Sequence, residues 1–128
     1  MGGECQPAPA GPAEAAQGVV LVVEDEVVLR MAVSAHLRDA GLVVIEAVDA
    51  EEAIELLDAN RTIRLVFSDI TMPGSMDGDQ LAEWISDRYP QVRILLTSGI
   101  TQRGQQPFIA KPYSFIELQR RIERMLRV

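Results

Sequence analysis

Asp69 is the residue of this sequence best placed to do chemistry. It follows the apolar stretch 65–68, which we interpret as a buried strand, and Pro73 and Gly74 prevent the next segment from continuing as a helix. A carboxylate at the carboxyl end of such a strand faces the crevice in which open α/β sheets bind their ligands. Aspartate also begins many turns, so Asp69 alone leaves both interpretations open.

Four other polar residues follow strands of the expected sheet. Glu24 and Asp25 follow the first strand, Ser98 follows the fourth and Lys111 follows the fifth. If the first and third strands are neighbours, three carboxylates converge in one pocket and repel each other unless a cation lies among them. Carboxylates are ligands that Mg²⁺ prefers. The alternative is a set of unrelated surface acids, since acids are also favoured at helix starts.

Together these residues have the equipment to accept a phosphoryl group. A divalent cation and a lysine can neutralise the phosphoryl oxygens, while a carboxylate attacks in line and becomes an aspartyl phosphate. Each residue alone is weak support. Five of them at the ends of the right strands make phosphoryl acceptance the leading interpretation.

The elements that must position these residues alternate regularly along the chain. Apolar runs predict strands over 19–23, 42–45, 65–68, 93–97 and 108–110. Helical patterns follow from about 27 to 40, after the caps Asp49 and Asp77, and after the cap Ser114. This alternation predicts an α/β fold with a doubly wound, five-stranded parallel sheet of order 2-1-3-4-5.

The expected inward faces of the helices come from their apolar spacing. In the first helix we place Val28, Met31, Ala32 and Ala35 on one face. The faces of the other helices carry Ala53, Leu56 and Leu57, then Leu81, Trp84 and Ile85, and finally Phe115, Leu118, Ile122 and Met125.

One crossover of this sheet is short. Only residues 98–107 separate the fourth and fifth strands, and they include Gly99, Gly104 and Pro107. A parallel crossover with its helix needs about ten to twelve residues or more. The fourth helix, between these strands, is therefore expected to be shortened or missing.

Composition limits the class of protein. The chain has 128 residues and a net charge of −7, which argues against direct binding to nucleic acids or anionic membranes. It has one cysteine and no recognisable signal peptide, so we expect a soluble, cytoplasmic protein. Residues 1–18 are rich in Pro, Gly and Ala and are expected to form a disordered tail or linker. Residues 19–128 form one domain.

The motifs resemble those of the receiver domain of two-component response regulators, a CheY-like, flavodoxin-like family. The resemblance covers 19–128 through Val-Val-Glu-Asp-Glu at 22–26, Ser-Asp-Ile-Thr-Met-Pro at 68–73, Met-Asp-Gly at 76–78, Leu-Thr-Ser-Gly at 96–99 and Lys-Pro-Tyr at 111–113.

The resemblance implies a role for each matching residue. It implies that Asp69 is the phosphoacceptor and that Mg²⁺ is bound by Glu24, Asp25, Asp69 and the backbone carbonyl of Thr71. It also implies a switch hydroxyl at Ser98, a lysine that pairs with the phosphate at Lys111, and a switch aromatic residue at Phe108. Such a domain is not an enzyme for other substrates, because it catalyses only its own phosphorylation and dephosphorylation.

Two departures from the family pattern bear on function. The loop sequence Met-Pro-Gly-Ser-Met-Asp-Gly is one residue longer than usual, and the interval from Ser98 to Lys111 is short by roughly a helix. All reacting groups are kept, so phosphoacceptor chemistry is expected to survive. For the polar segment 99–107 we expect mobility before phosphorylation, and ordering or partner docking after it.

The expected partners are a sensor histidine kinase or a histidine phosphotransfer protein as donor, and an unidentified downstream protein. No output domain follows the last helix in this sequence, which favours a stand-alone receiver or the receiver segment of a hybrid histidine kinase. The alternatives are an interaction module that works without phosphorylation, and a phosphatase that forms an aspartyl phosphate. The phosphatase would need a second acid at position 71, which is Thr.

Overall fold

The computed structural model describes residues 18–99 and 104–127. Five parallel strands form one sheet of order β2-β1-β3-β4-β5, which confirms the predicted doubly wound topology. The strands are β1 (Val19–Val23), β2 (Val43–Ala47), β3 (Ile63–Asp69), β4 (Arg93–Ser98) and β5 (Phe108–Ala110). The helices in the described ranges are α1 (Val27–Asp39), α2 (Ala50–Ala59), α3 (Gly78–Arg88) and α4 (Phe115–Leu126).

The sheet separates two apolar cores. Leu21 and Val23 of β1 pack on the side of α2 and α3, whereas Val20 and Val22 pack on the side of α1 and α4. All five residues of β1 are buried, because helices cover both faces of the sheet. Each fully buried Leu or Val side chain contributes about 1.5–3 kcal/mol relative to an exposed one. These cores hold the strand ends that carry the polar residues.

The predicted inward face of α1 is wrong. Val28 is 76% exposed and Met31 is 59% exposed, whereas Val33, Ser34 and Leu37 are buried. The helix is rotated relative to the predicted orientation, because Val33 and Leu37 pack into the core that lies on the side of the sheet covered by α1 and α4. As a result, α1 presents an apolar surface to solvent near its amino-terminal end.

The predicted faces of the other three helices are confirmed in their main contacts. Ala53 and Leu57 of α2, Leu81 and Ile85 of α3, and Leu118 and Ile122 of α4 are buried. Asp49, Asp77 and Ser114 each accept a hydrogen bond from the backbone amide three residues on, which is the geometry of a helix cap. Within the described ranges, no helix is both long and apolar enough to cross a membrane.

The crossover between β4 and β5 contains no helix at Gly99 or over 104–107. Residues 100–103 lie outside the described residues, and the expectation of mobility over 99–107 falls partly on them. The tail or linker expected over 1–18 also lies outside the described residues, apart from Gly18.

Candidate functional site

The carboxyl edge of the sheet brings together the predicted site residues other than Phe108. Asp69 ends β3, Ser98 ends β4, and Glu24 and Lys111 follow β1 and β5. In the strand register Val23 lies beside Ser68, Asp69 beside Thr97, and Ser98 beside Ala110. Four adjacent strands therefore deliver these polar side chains to one edge.

Three carboxylates form a compact acidic cluster. Glu24, Asp25 and Asp69 each offer an oxygen, and these oxygens lie within 4.8 Å of one another. Glu24 and Asp69 are buried, with exposures of 5% and 7%, while Asp25 is exposed. Hard oxygen donors that converge from buried and solvent-facing positions fit a divalent cation such as Mg²⁺.

Thr71 approaches this cluster through its backbone. Its amide donates a hydrogen bond of 3.0 Å to Asp69 Oδ1. This bond orients the Asp69 carboxylate and brings the start of the following loop next to it. That the Thr71 carbonyl is a metal ligand stays a prediction.

Lys111 connects the last strand to the acids. Its Nζ lies 2.7 Å from Asp69 Oδ2 and 3.4 Å from Glu24 Oε1. Partial burial lowers the pKa of Lys111, but the hydrogen bond and negative charge of Asp69, together with Glu24, outweigh burial and raise it. The ammonium is therefore charged at neutral pH and directed at the carboxylate predicted to react.

Glu24 is held by a backbone amide as well as by Lys111. Burial raises the pKa of its carboxyl group, and the neighbouring acids Asp69 and Asp25 raise it further. The Glu26 amide and Lys111 lower this pKa, but the net pKa is raised. The Glu26 amide donates to Glu24 Oε2 at 3.1 Å. A bound cation would favour the ionised form of this carboxyl group.

Gly78 packs directly against the backbone of Asp69 and Ile70 at the end of β3. Its amide donates to the Ile70 carbonyl at 2.8 Å, and a Cβ at this position would lie 2.3 Å from the Asp69 carbonyl oxygen. Real Cβ atoms do not approach backbone atoms that closely. The Met-Asp-Gly motif therefore ends in the residue that lets α3 start against the backbone of Asp69.

The longer loop between β3 and α3 is anchored to α2. Gly74 has a φ of +103°, a conformation that glycine adopts without strain. The Ser75 amide donates to the Glu51 carboxylate at 3.2 Å, and the Ser75 hydroxyl donates to the same carboxylate. The extra residue is thus accommodated by a turn with its own contacts.

Ser98 and Phe108 occupy different surroundings. Ser98 is 2% exposed at the carboxyl edge, and its carbonyl accepts a hydrogen bond of 2.9 Å from the Lys111 amide. Phe108 is the first residue of β5 and therefore lies at the end of that strand away from the carboxyl edge. It is partly buried and packs against the core on the side of α2 and α3. Their switch roles stay predictions.

Tyr113 lies next to the site, although the sequence analysis assigned it no role. Its ring packs edge-on against Phe67, with centroids 5.6 Å apart. Burial raises its pKa, and the negative charges of Glu24 and Asp69 raise it further. The Lys-Pro-Tyr motif was the signal that could have assigned Tyr113 to the site.

A cavity of about 500 Å³ lies beside the acids. It is lined by Leu29, Gly99, Lys111, Pro112, Tyr113 and Phe115.

Comparison with known proteins gives the same class of fold. The model of the response regulator receiver domain family matches residues 20–123. The chain therefore belongs to the response regulator receiver domain family, which works in two-component systems.

Individual relatives are proteins of several kinds. The chain is 36% identical over 103 residues to the response regulator protein FleR of Pseudomonas aeruginosa, covering 73% of this chain and 21% of FleR. It is 30% identical over 117 residues to the sensor kinase CckA of Brucella abortus, covering 84% of this chain and 12% of CckA. The chain thus spans about a fifth or less of these two relatives.

A solved structure shows the same fold at similar identity. The crystal structure of the receiver domain from the hybrid histidine kinase CckA superimposes with a TM-score of 0.74 at 34% identity. The match covers 85% of this chain and 99% of that one. Receiver domains of this kind therefore occur within hybrid kinases as well as in response regulators.

Proposed function

We propose that this chain accepts a phosphoryl group on Asp69 from a histidine kinase or a histidine phosphotransfer protein, and signals through contacts with another protein. The observation that carries the proposal is the position of Lys111 Nζ, 2.7 Å from Asp69 Oδ2 at the edge of a three-carboxylate cluster. This pairs a nucleophilic carboxylate with a cation that can compensate phosphoryl charge.

The proposed step is an in-line displacement at phosphorus. An oxygen of Asp69 forms an O–P bond as the N–P bond of a donor phosphohistidine breaks, and the departing imidazole keeps the electron pair and takes up a proton. Lys111 then pairs with a phosphoryl oxygen instead of with Asp69. Mg²⁺, held by Glu24, Asp25, Asp69 and the Thr71 carbonyl, would supply positive charge to the same oxygens.

Incubation with acetyl phosphate and Mg²⁺, followed by intact mass measurement, tests this function. The proposal predicts one added phosphoryl group per chain, and addition that depends on Mg²⁺. Absence of any addition would instead support the interaction module that works without phosphorylation. We also propose that the chain is not an enzyme for other substrates and catalyses only its own phosphorylation and dephosphorylation.

The Asp25 carboxylate gives a direct test of the metal site. Because Asp25 is the exposed acid of the cluster, Asp25→Ala removes a charged ligand without opening the core. We expect Mg²⁺ affinity to fall about tenfold or more, equivalent to roughly 1.4 kcal/mol. Chemical shifts of backbone amides during a MgCl₂ titration measure this, and unchanged affinity would contradict the assignment of Asp25 as a ligand.

The exposed apolar surface of α1 supports a protein donor. Val27, Val28 and Met31 are exposed on the helix that starts two residues after Asp25. Leu29, which follows Val28, lines the same cavity as Lys111. An exposed apolar surface at this position is suited to contact with a protein that brings its phosphohistidine to Asp69.

Val28→Glu tests this contact. We expect phosphotransfer from a histidine kinase that phosphorylates the wild type to slow about tenfold, since a hydrophobic contact is lost. Phosphorylation by acetyl phosphate should be unchanged, because the small donor needs no docking surface. Val43→Glu is the matched control, since Val43 is exposed at the opposite end of the sheet. Equal slowing in both variants would argue against the surface on α1.

Two cellular settings are proposed for the domain. The similarity to CckA favours a receiver that serves a hybrid histidine kinase, while the similarity to FleR favours a response regulator. For both settings we propose a domain in the cytoplasm, with a kinase or phosphotransfer protein as donor and an unidentified protein as the recipient of the signal.

A further inference from the structure

Arg30 of α1 has a partly buried guanidinium that connects the acidic cluster to the edge strand. Its side chain is 13% exposed. Nη1 donates a hydrogen bond of 2.9 Å to the backbone carbonyl of Glu24, and Nε donates one of 3.2 Å to Glu46 Oε1 on β2. A planar guanidinium held at two points is fixed in position and orientation.

The bond to the Glu24 carbonyl acts on the peptide unit that joins Glu24 to Asp25. The other groups of Glu24 are also fixed, since its amide donates to the Ala47 carbonyl at 3.1 Å and its carboxylate binds the Glu26 amide and Lys111. Arg30 adds the contact that orients the start of Asp25. The peptide unit between Glu24 and Asp25 sets the direction in which the Asp25 side chain leaves the backbone.

We infer that Arg30 is a positioning residue for the metal site: by holding the Glu24 carbonyl against Glu46, it directs Asp25 toward Glu24 and Asp69. The inference rests on the proposed Mg²⁺ site and adds to it a residue outside the acidic cluster. Partners that orient metal ligands typically contribute about tenfold or more to metal affinity.

Positioning and simple electrostatics predict opposite signs for Arg30→Met. Removing a nearby positive charge lowers the repulsion felt by a divalent cation, and would strengthen Mg²⁺ binding. Loss of positioning weakens Mg²⁺ binding, because Asp25 no longer has a fixed direction. The sign of the change therefore distinguishes the two roles.

Arg38→Met is the matched control. Arg38 lies on the same helix and binds the other oxygen of Glu46 at 3.0 Å, but its second contact is the Val44 carbonyl, at 3.0 Å. Both variants remove one arginine from Glu46, and only Arg30→Met removes a bond to Glu24. A role confined to the ion pairs with Glu46 would lower the Mg²⁺ affinity of both variants.

The experiment is a MgCl₂ titration of the wild type and both variants, followed by the backbone amide shifts of residues 24–26. We expect affinity to fall about tenfold in Arg30→Met and to stay within about twofold of the wild type in Arg38→Met. The Asp25 amide should also shift in metal-free Arg30→Met. If that variant does not fold, Arg30→Lys replaces it, and an affinity below that of the wild type is expected because an ammonium does not reproduce the two-point fork.

Unchanged or tighter Mg²⁺ binding in the Arg30 variant would overturn the inference and leave the proposed function intact. An equal loss in the Arg30 and Arg38 variants would also overturn it. If the wild type binds no Mg²⁺, the proposed metal site itself fails, and the inference fails with it.

Discussion

Asp69→Asn is expected to take up no phosphoryl group under conditions that phosphorylate the wild type. The amide has almost the same shape as the carboxylate but lacks its negative charge and its nucleophilic oxygen pair. The amide oxygen of Asn can keep the hydrogen bond from the Thr71 amide and only the pairing with Lys111 is lost, so the domain should stay folded. Intact mass after incubation with acetyl phosphate and Mg²⁺ measures the loss.

Asp87→Asn is the control for this variant, because Asp87 is an exposed acid on α3. It should be phosphorylated as completely as the wild type. Phosphorylation of Asp69→Asn at the wild-type level would show that another side chain accepts the group. The assignment of the β3 strand end as the reactive position would then be wrong.

Gly78→Ala is expected to produce the largest loss of stability among single substitutions near the site. The added Cβ would lie 2.3 Å from the Asp69 carbonyl oxygen and 2.7 Å from Ile70 Cα, and both are backbone atoms of a buried strand end. Neither can rotate away as a side chain would. Overpacking of this kind costs about 1–3 kcal/mol, and movement of α3 would add to the cost.

Chemical denaturation measures this loss as a lower midpoint with an unchanged slope. Gly104→Ala is the control, because a Cβ at Gly104 would meet nothing within 4 Å. Its free energy of unfolding should stay within about 0.5 kcal/mol of the wild type. Equal stability of Gly78→Ala and the wild type would show that the backbone contact between α3 and β3 is looser than the structure has it.

The sequence predicted the sheet and the acidic cluster because their signals are local. Runs such as Val19–Val23 are apolar at every position, which is typical of strands covered on both faces. Each run ends at a polar residue, and parallel strands bring such ends to one edge. The short interval before Phe108 likewise predicted the lack of a helix among the described residues of that crossover.

The rotation of α1 could not be predicted from its pattern. The helix carries apolar residues all around its axis, among them Val28, Leu29, Met31 and Val33, so several inward faces satisfy the periodicity. Packing of Val33 and Leu37 against the sheet decides between them.

Arg30 was missed for a related reason. Its sequence context does not distinguish it from Arg38, and only the fold brings it to Glu46, sixteen residues away. The contact of Ser75 with Glu51 is of the same kind, since it depends on where α2 begins relative to the loop. Contacts between elements of this sort require the three-dimensional structure.

The central claim is that Asp69 carries the phosphoryl group, and chemical trapping tests it most directly. Borohydride reduces an acyl phosphate to an alcohol, which converts a phosphorylated aspartate to homoserine that peptide mass spectrometry can locate. After treatment with acetyl phosphate and Mg²⁺, we predict homoserine at position 69 and at no other acid. Homoserine at Asp25, 5-hydroxynorvaline (the alcohol that a glutamyl phosphate gives) at Glu24, or no homoserine at position 69 despite a measured gain of phosphate, would contradict the account.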